Sequence, residues 1–179
     1  MNDGLIPNRY AKALFKFAAE SGKQDQVYGE MKQLALSYSQ SKQLKAAVTN
    51  PFLPADDKEK LLLTAAGAKQ GGVTDRFLHM VIGRNRAEFL HSMALAYEKL
   101  YRRDRGIARV EIVSATKLPD AQTTGIVSLI KKQLDASSIE LSKRVDPALI
   151  GGFTVNVDDQ VLDASVKSEL EKLRLKLLS

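Results

Sequence analysis

The chain has 179 residues, a net charge of +6, 44% apolar residues and no tryptophan. That length suits one domain or two small ones, with a core drawn mainly from Leu, Ile, Val and Ala. Cysteine is absent, which excludes disulfides, thiolate metal sites and cysteine nucleophiles together.

The first hundred residues read as helices with short punctuation. Pro7 suits the first turn of helix one. Tyr10, Ala11, Leu14, Phe17 and Ala18 then follow on one helical face, and Ser21-Gly22 ends it. Helix two carries Val27, Met31, Leu34 and Tyr38. A short third helix holds Leu44 and Val48, and Asn50-Pro51 stops it, because the residue before proline avoids the helical region. Helix four begins near Pro54, with Asp56 and Asp57 complementing the positive end of the helix dipole. It runs through Leu61, Leu62 and Ala65 to Gly67. Thr74 is the expected N-cap of helix five, with Phe77, Leu78, Val81 and Ile82 facing inward. Helix six follows Arg86 and carries Phe89, Met93, Ala96, Tyr97 and Leu100.

At Gly106 the period changes from helical to two. Val110, Ile112 and Ser114 alternate with Arg109, Glu111 and Val113, as in a strand. A helix after Pro119 places Ile126, Leu129, Ile130 and Leu134 on one face. Ile139, Leu141 and Lys143 mark a second strand, and Phe153, Val155 and Val157 a third. Asp158-Asp159 is a turn signal, and Val161-Leu162 returns as a fourth strand. Ser165 caps a last helix whose Val166, Leu170, Leu173 and Leu177 sit at 4-3-4 spacing. The expected fold is mainly α. A six-helix N-terminal bundle, residues 1–105, precedes a smaller α/β domain, residues 106–179, with a short sheet and a C-terminal helix.

Residues 1–105 hold 17 Lys+Arg against 11 Asp+Glu, while residues 106–179 are balanced. A basic half can meet nucleic acid, an anionic membrane surface or an acidic protein. The excess is spread and forms no block of like charge, which favours a solvated helical surface as its account. No segment approaches the ~20 apolar residues needed to cross a bilayer, and the N-terminus lacks the pattern of a cleaved leader. The chain reads as facing a bacterial cytoplasm.

The residues offer no catalytic or metal constellation. His79 and His91 fall on different predicted helices without the convergent partners a metal needs. No strained serine elbow is present. The stretch Gly67 to Thr74 has the glycine spacing of a phosphate loop, but Val73 stands where the lysine belongs and a helix precedes it. Asp158, Asp159 and Asp163 lack the order of a calcium loop. Nucleic-acid binding is the serious rival, since Arg84, Arg86, Arg102, Arg103 and Arg105 occupy two nearby regions. Yet no aromatic-interleaved strand, zinc module or helix-turn-helix pattern accompanies them.

Five features in order resemble one family along nearly the whole chain. Arg9, Tyr10, Ala11, Ala13 and Leu14 resemble an opening RYAxAL helix. Asn50-Pro51, Phe77 with Asn85-Arg86, and Val110 with Ala115 follow. The most specific is Asp146, Pro147, Leu149, Ile150, Gly151, Gly152 and Phe153, followed by Asp163 and Ser165, which resembles the signature DPxLIGGF…DxS. The family is the delta subunit of F-type ATP synthase, whose mitochondrial counterpart is the oligomycin sensitivity-conferring protein. Ala148 and Ala164 stand where serine and glycine are common in that family.

The resemblance implies a non-catalytic stator connector without cofactor or metal, present once per complex and joining the catalytic head to the peripheral stalk. It implies that the helical domain receives the N-terminal helix of an alpha subunit and the C-terminal domain the distal end of the b subunit. Membrane association then comes only through the complex, on the cytoplasmic face of the bacterial membrane. Helices one and five are the family's groove-forming pair, so Tyr10, Ala13, Phe77 and Val81 are the candidate partner-binding residues, with a plain core role equally open on periodicity. Gly151 and Gly152 read as backbone specials, and Asp163 and Ser165 as caps where strand turns into helix. The set from Asp146 to Ser165 is thus expected to be architectural. A basic nucleic-acid-binding helical module is the alternative.

Overall fold

The computed structural model describes residues 4–116, 118–134, 138–157 and 160–178. It divides into two compact units, Met1–Tyr101 and Arg102–Ser179. The division falls inside a helix, one turn before Gly106, because Arg102 already reaches into the second unit, with its guanidinium 3.8 Å from the carboxylate of Glu140.

Six α-helices come first: α1 (Leu5–Glu20), α2 (Gln24–Gln40), α3 (Lys42–Thr49), α4 (Ala55–Ala66), α5 (Val73–Gly83) and α6 (Leu90–Arg105). Several of their ends are written in the sequence. Gly22 and Gly67 adopt left-handed backbone, with φ near +63° and +62°. The amides just beyond them return to helix carbonyls, Lys23 to Ala18 at 2.9 Å and Ala68 to Leu63 at 3.0 Å. This closure satisfies carbonyls that a helix end leaves bare. Ser41 caps α3, its hydroxyl accepting from the Leu44 amide at 3.2 Å.

Apolar faces of these helices converge on a core that includes Met31, Leu34, Leu62, Leu78, Met93 and Tyr97. The inner face of α4 is Leu62, Leu63 and Ala66, while Leu61 stays partly exposed. Helix α5 starts two residues earlier than expected. Gly72 precedes it and Thr74 lies in its first turn, so Thr74 is not the N-cap. Its buried hydroxyl donates instead to the Glu30 carboxylate on α2. A 3-10 turn, Ala87–Phe89, leads into α6.

The second unit contains β1 (Ile107–Ser114), α7 (Asp120–Leu134), β2 (Ser138–Val145), β3 (Gly152–Val157), β4 (Gln160–Ser165) and α8 (Val166–Leu178). The sheet order is β2-β1-β3-β4. β1 runs parallel to β2, pairing Ile107 with Ser138, and antiparallel to β3, pairing Val110 with Val157. β3 and β4 form an antiparallel pair from Gly152↔Ser165 to Val157↔Gln160. Val110, Ile112 and Val155 form the core, with Leu118, Ile126 and Ile130 packed against it. The expected Asp158-Asp159 turn and the side chains of Leu134 and Leu177 lie outside the described residues.

Candidate functional site

In the helical unit, α1 and α5 meet through Tyr10 and Phe77. Their rings stand edge to face, with centroids 6.4 Å apart. Val81, one turn along α5, is fully buried. Tyr10, Phe77 and Val81 therefore sit in the core, whereas Ala13 is on the solvent side of α1.

The end of α5 completes this junction. Asn85 takes a left-handed conformation, φ 54°, which asparagine tolerates better than most residues. Its amide donates to the Ile82 carbonyl at 2.9 Å and the Arg86 amide to the Val81 carbonyl at 3.1 Å. That closure delivers Arg86 to Tyr10. The guanidinium donates to the phenol oxygen at 2.9 Å and stands 5.4 Å from the ring centroid. Sequence reasoning missed this tie, although an asparagine just past an apolar helix is a readable stop signal.

The surface around the junction is both apolar and basic. On α1, Ala13 and Phe17 are exposed at i, i+4 spacing, with Arg9, Lys12 and Lys16 exposed beside them. On α5, Met80 is exposed between Arg76 and Arg84. His79 pairs with Glu59 of α4 at 3.0 Å. The hydrogen bond to Glu59, then its charge, raise the imidazole pKa above its ordinary value. His91 instead stacks on Tyr38, ring centroids 5.4 Å apart.

In the second unit the residues from Asp146 to Ser165 gather at one corner of the sheet. The Asp146 amide donates to the Ser114 carbonyl at 2.8 Å. Its carboxylate accepts from the Ala148 amide at 3.0 Å, capping a 3-10 turn that opens with Pro147. Ile150 then takes φ 66° and ψ −42°. The Gly151 amide reaches back to the Leu149 carbonyl at 2.7 Å, so Ile150 is the centre of a γ-turn of the rare positive-φ kind. Such a conformation costs a side-chain-bearing residue roughly 1–3 kcal/mol.

The two glycines that follow have different reasons to be glycine. A Cβ on Gly151 would come 3.0 Å from Cγ2 of Val166. Gly152 has φ +75° and lies hard against the backbone of β4. Its carbonyl accepts from the Ala115 amide at 3.3 Å, and the Gly151 carbonyl accepts from the Val166 amide at 3.0 Å. Phe153 then packs on the core. The start of α8 is clasped from the other side. Asp163 accepts from the Ser165 amide at 2.9 Å and from the Ser168 hydroxyl. The Ser165 hydroxyl accepts from the Ser168 amide at 3.2 Å, which makes it the N-cap of α8. Hydrogen bonds from Ser168, then Ser165, hold the Asp163 carboxyl down at about 2.

Two apolar surfaces of this unit are uncovered. An open cleft of about 410 Å³ lies between α7 and the sheet, lined by Ile126, Leu129 and Ile130 with Phe153, Val157 and Leu162. Leu129, expected on the inner face of α7, is 69% exposed, because the cleft leaves that edge of the helix unsupported. Val166, Leu170 and Leu173 form the second surface, an exposed row on α8. Among the described residues, ten of the seventeen large apolar side chains left exposed belong to residues 102–179. Among the described residues, no group of three or more His, Cys, Asp or Glu could hold a metal. No described helix is long and apolar enough to cross a membrane.

The helical unit carries a basic apolar strip and the small α/β unit carries exposed apolar faces, surfaces of the kind that protein partners cover. A family profile described as ATP synthase delta (OSCP) subunit matches residues 6–177. The ATP synthase subunit delta of Parabacteroides distasonis is 35% identical over 99% of this chain and 98% of its own length. That of Phocaeicola vulgatus is 34% identical over 98% and 95%. A chain of the Toxoplasma gondii mitochondrial ATP synthase hexamer has the same fold, with a TM-score of 0.76 at 22% identity over 97% of both chains. The chain belongs to the ATP synthase delta (OSCP) subunit family. It is a structural, non-catalytic subunit that connects parts of the ATP synthase stator.

Proposed function

We propose that residues 1–101 act as a six-helix bundle that receives the N-terminal helix of an alpha subunit along α1 and α5, while residues 102–179 engage the distal end of the b-subunit stalk. The observation that carries the first half is the exposed strip beside the Tyr10–Phe77 junction. Ala13 and Phe17 offer an apolar track, and Arg9, Lys12, Lys16, Arg76 and Arg84 flank it with positive charge. A partner helix with apolar anchors at i, i+3, i+4 and i+7 fits such a track. Acidic residues on its flanks would be steered by the cations, which raises the association rate more than the affinity. Tyr10, Phe77 and Val81 support that surface from beneath, and Ala13 keeps it low enough for close approach.

The second half follows from where apolar surface is left bare. The smaller unit carries the larger share of it, and covering it is the work of a partner. One copy per complex then bridges head and stalk, opposing rotation of the head while the rotor turns. The chain is held at the cytoplasmic face of the bacterial membrane through the complex alone.

The test mixes the full chain with a peptide of the alpha-subunit N-terminus, and separately with duplex DNA, across a salt range. Peptide binding that survives salt, with DNA binding erased by it, supports the connector. No peptide binding at any salt overturns the assignment of the first unit, and salt-resistant DNA binding favours the nucleic-acid alternative.

A further inference from the structure

We propose that Ile150 is a specificity-determining residue for the stalk partner, held out by its strained turn as the end knob of a helix-docking seam on α8. The inference rests on the reading of residues 102–179 as the stalk-binding unit.

Ile150 is 71% exposed, so its side chain gains little from burial within this chain. It nonetheless occupies a backbone conformation that β-branched residues avoid. A glycine would make the same turn, with the same Gly151 to Leu149 hydrogen bond, at no steric cost. At that exposure the corner takes little support from the branched sec-butyl side chain of Ile150. A strained, exposed, apolar side chain is what a residue looks like when its compensating contact lies on another molecule.

The surroundings indicate what that molecule presents. The Gly151 carbonyl accepts from the Val166 amide, so Ile150 stands at the first turn of α8. From there Val166, Leu170 and Leu173 run along the helix at 4-3 spacing, all exposed. That is the a/d pattern of a helix that packs knobs into the holes of another helix. The positions flanking this seam are Lys167, Glu169, Arg174 and Lys176, a net positive border. The occupant is therefore an amphipathic α-helix with its own apolar seam and acidic flanking positions, as a stalk helix of the b subunit would supply. The Val166 amide bond to the Gly151 carbonyl ties the start of α8 to the residue after Ile150, and the Asp163, Ser165 and Ser168 hydrogen bonds hold that first turn, so the knob is preorganised beside the seam.

The experiment measures binding of a peptide from the C-terminal end of the b subunit to the full chain, alongside melting of residues 102–179 followed by hydrogen exchange. Ile150→Gly is expected to raise the melting temperature by about 4–8 °C, while weakening peptide binding by about tenfold. Ile150→Ala, which keeps the positive φ but loses the bulk, should weaken binding without the gain in stability. Leu170→Glu should abolish binding, and Leu129→Glu in the cleft should leave it intact. A wild-type chain that does not bind the peptide overturns the stalk reading and this inference together. Wild-type binding that Ile150→Gly leaves unchanged overturns this inference alone. Loss of binding in Leu129→Glu but not in Leu170→Glu moves the site to the cleft and also overturns it, as does self-association of the wild-type chain that Ile150→Gly disrupts.

Discussion

A Cβ atom on Gly152 would stand 2.3 Å from the carbonyl oxygen of Ala164. No side-chain carbon tolerates that distance from backbone, and the φ of +75° penalises any replacement independently. Gly152→Ala is expected to destabilise the second unit by roughly 2–5 kcal/mol from strain and overpacking together, and Gly152→Val by more. Hydrogen exchange should show lost protection in β3 and β4 with α1–α6 unaffected. A Gly152→Val chain that melts like its parent and still binds the stalk peptide would remove the architectural account of this corner.

The Asp163 clasp carries a pH signature. Its carboxyl is depressed to about 2, chiefly by the Ser168 hydroxyl and then by Ser165, against about 3.9 in an unfolded chain. A folded value below the unfolded one means that the contribution is fully present above about pH 4. It is lost as pH falls through about 2. Carboxyl titration by NMR should find Asp163 depressed, and Ser168→Ala should move it up. Ser165→Ala, which removes the buried cap, is expected to cost about 1 kcal/mol.

His79 responds in the opposite sense. Its hydrogen bond to Glu59 raises the imidazole pKa, so whatever the pair contributes is present at and below the ordinary histidine range and fades as pH rises through the raised value. The pair is solvent-exposed, so its effect on stability should be small. The readout is the histidine titration itself: Glu59→Gln should return His79 to a lower pKa and leave the melting temperature within error.

The Tyr10 junction separates buried from exposed residues. Phe77→Ala is expected to cost about 3–5 kcal/mol in the helical unit. Tyr10→Phe removes the acceptor of Arg86 and should cost about 0.5–1.5 kcal/mol. Ala13→Arg adds bulk and charge on the exposed side of α1, so the fold should be unchanged while alpha-subunit peptide binding falls. If Ala13→Arg binds like the parent, the partner lies on another face.

Much of this was legible in the residues, and the misses have physical causes. The change of period at Gly106 announced the strand, because alternation and helical spacing differ over only a few residues. Ser165 was readable as a cap, since a strand-to-helix junction needs an acceptor there. Thr74 was misassigned because a hydroxyl near a helix start suits either the helix's own amides or a neighbouring carboxylate. Only tertiary structure brings Glu30 within reach. Leu129 was expected inside because periodicity gives the apolar face of α7 but not how far the sheet extends beneath it. Tyr10, Phe77 and Val81 could not be divided between core and contact for a related reason: helical spacing gives an apolar face but not which neighbouring helix covers it. The positive φ of Ile150 runs against its residue type, so no propensity points to it.

The hydrogen bonds of the Asp146–Ser168 corner also set a timetable for synthesis. Residues 1–101 can complete their core as soon as they leave the ribosome, whereas Gly151 must wait for Val166, and Asp163 for Ser168. The β1–α7–β2 segment therefore emerges with one edge of β1 unpaired, open until nearly the whole chain has been translated. Domains form in order from the N-terminus during translation, and unpaired strand edges are where aggregation begins. The late-closing unit is thus the vulnerable half of the nascent chain, and early capture of the first unit by its partner would leave that half tethered while it finishes folding.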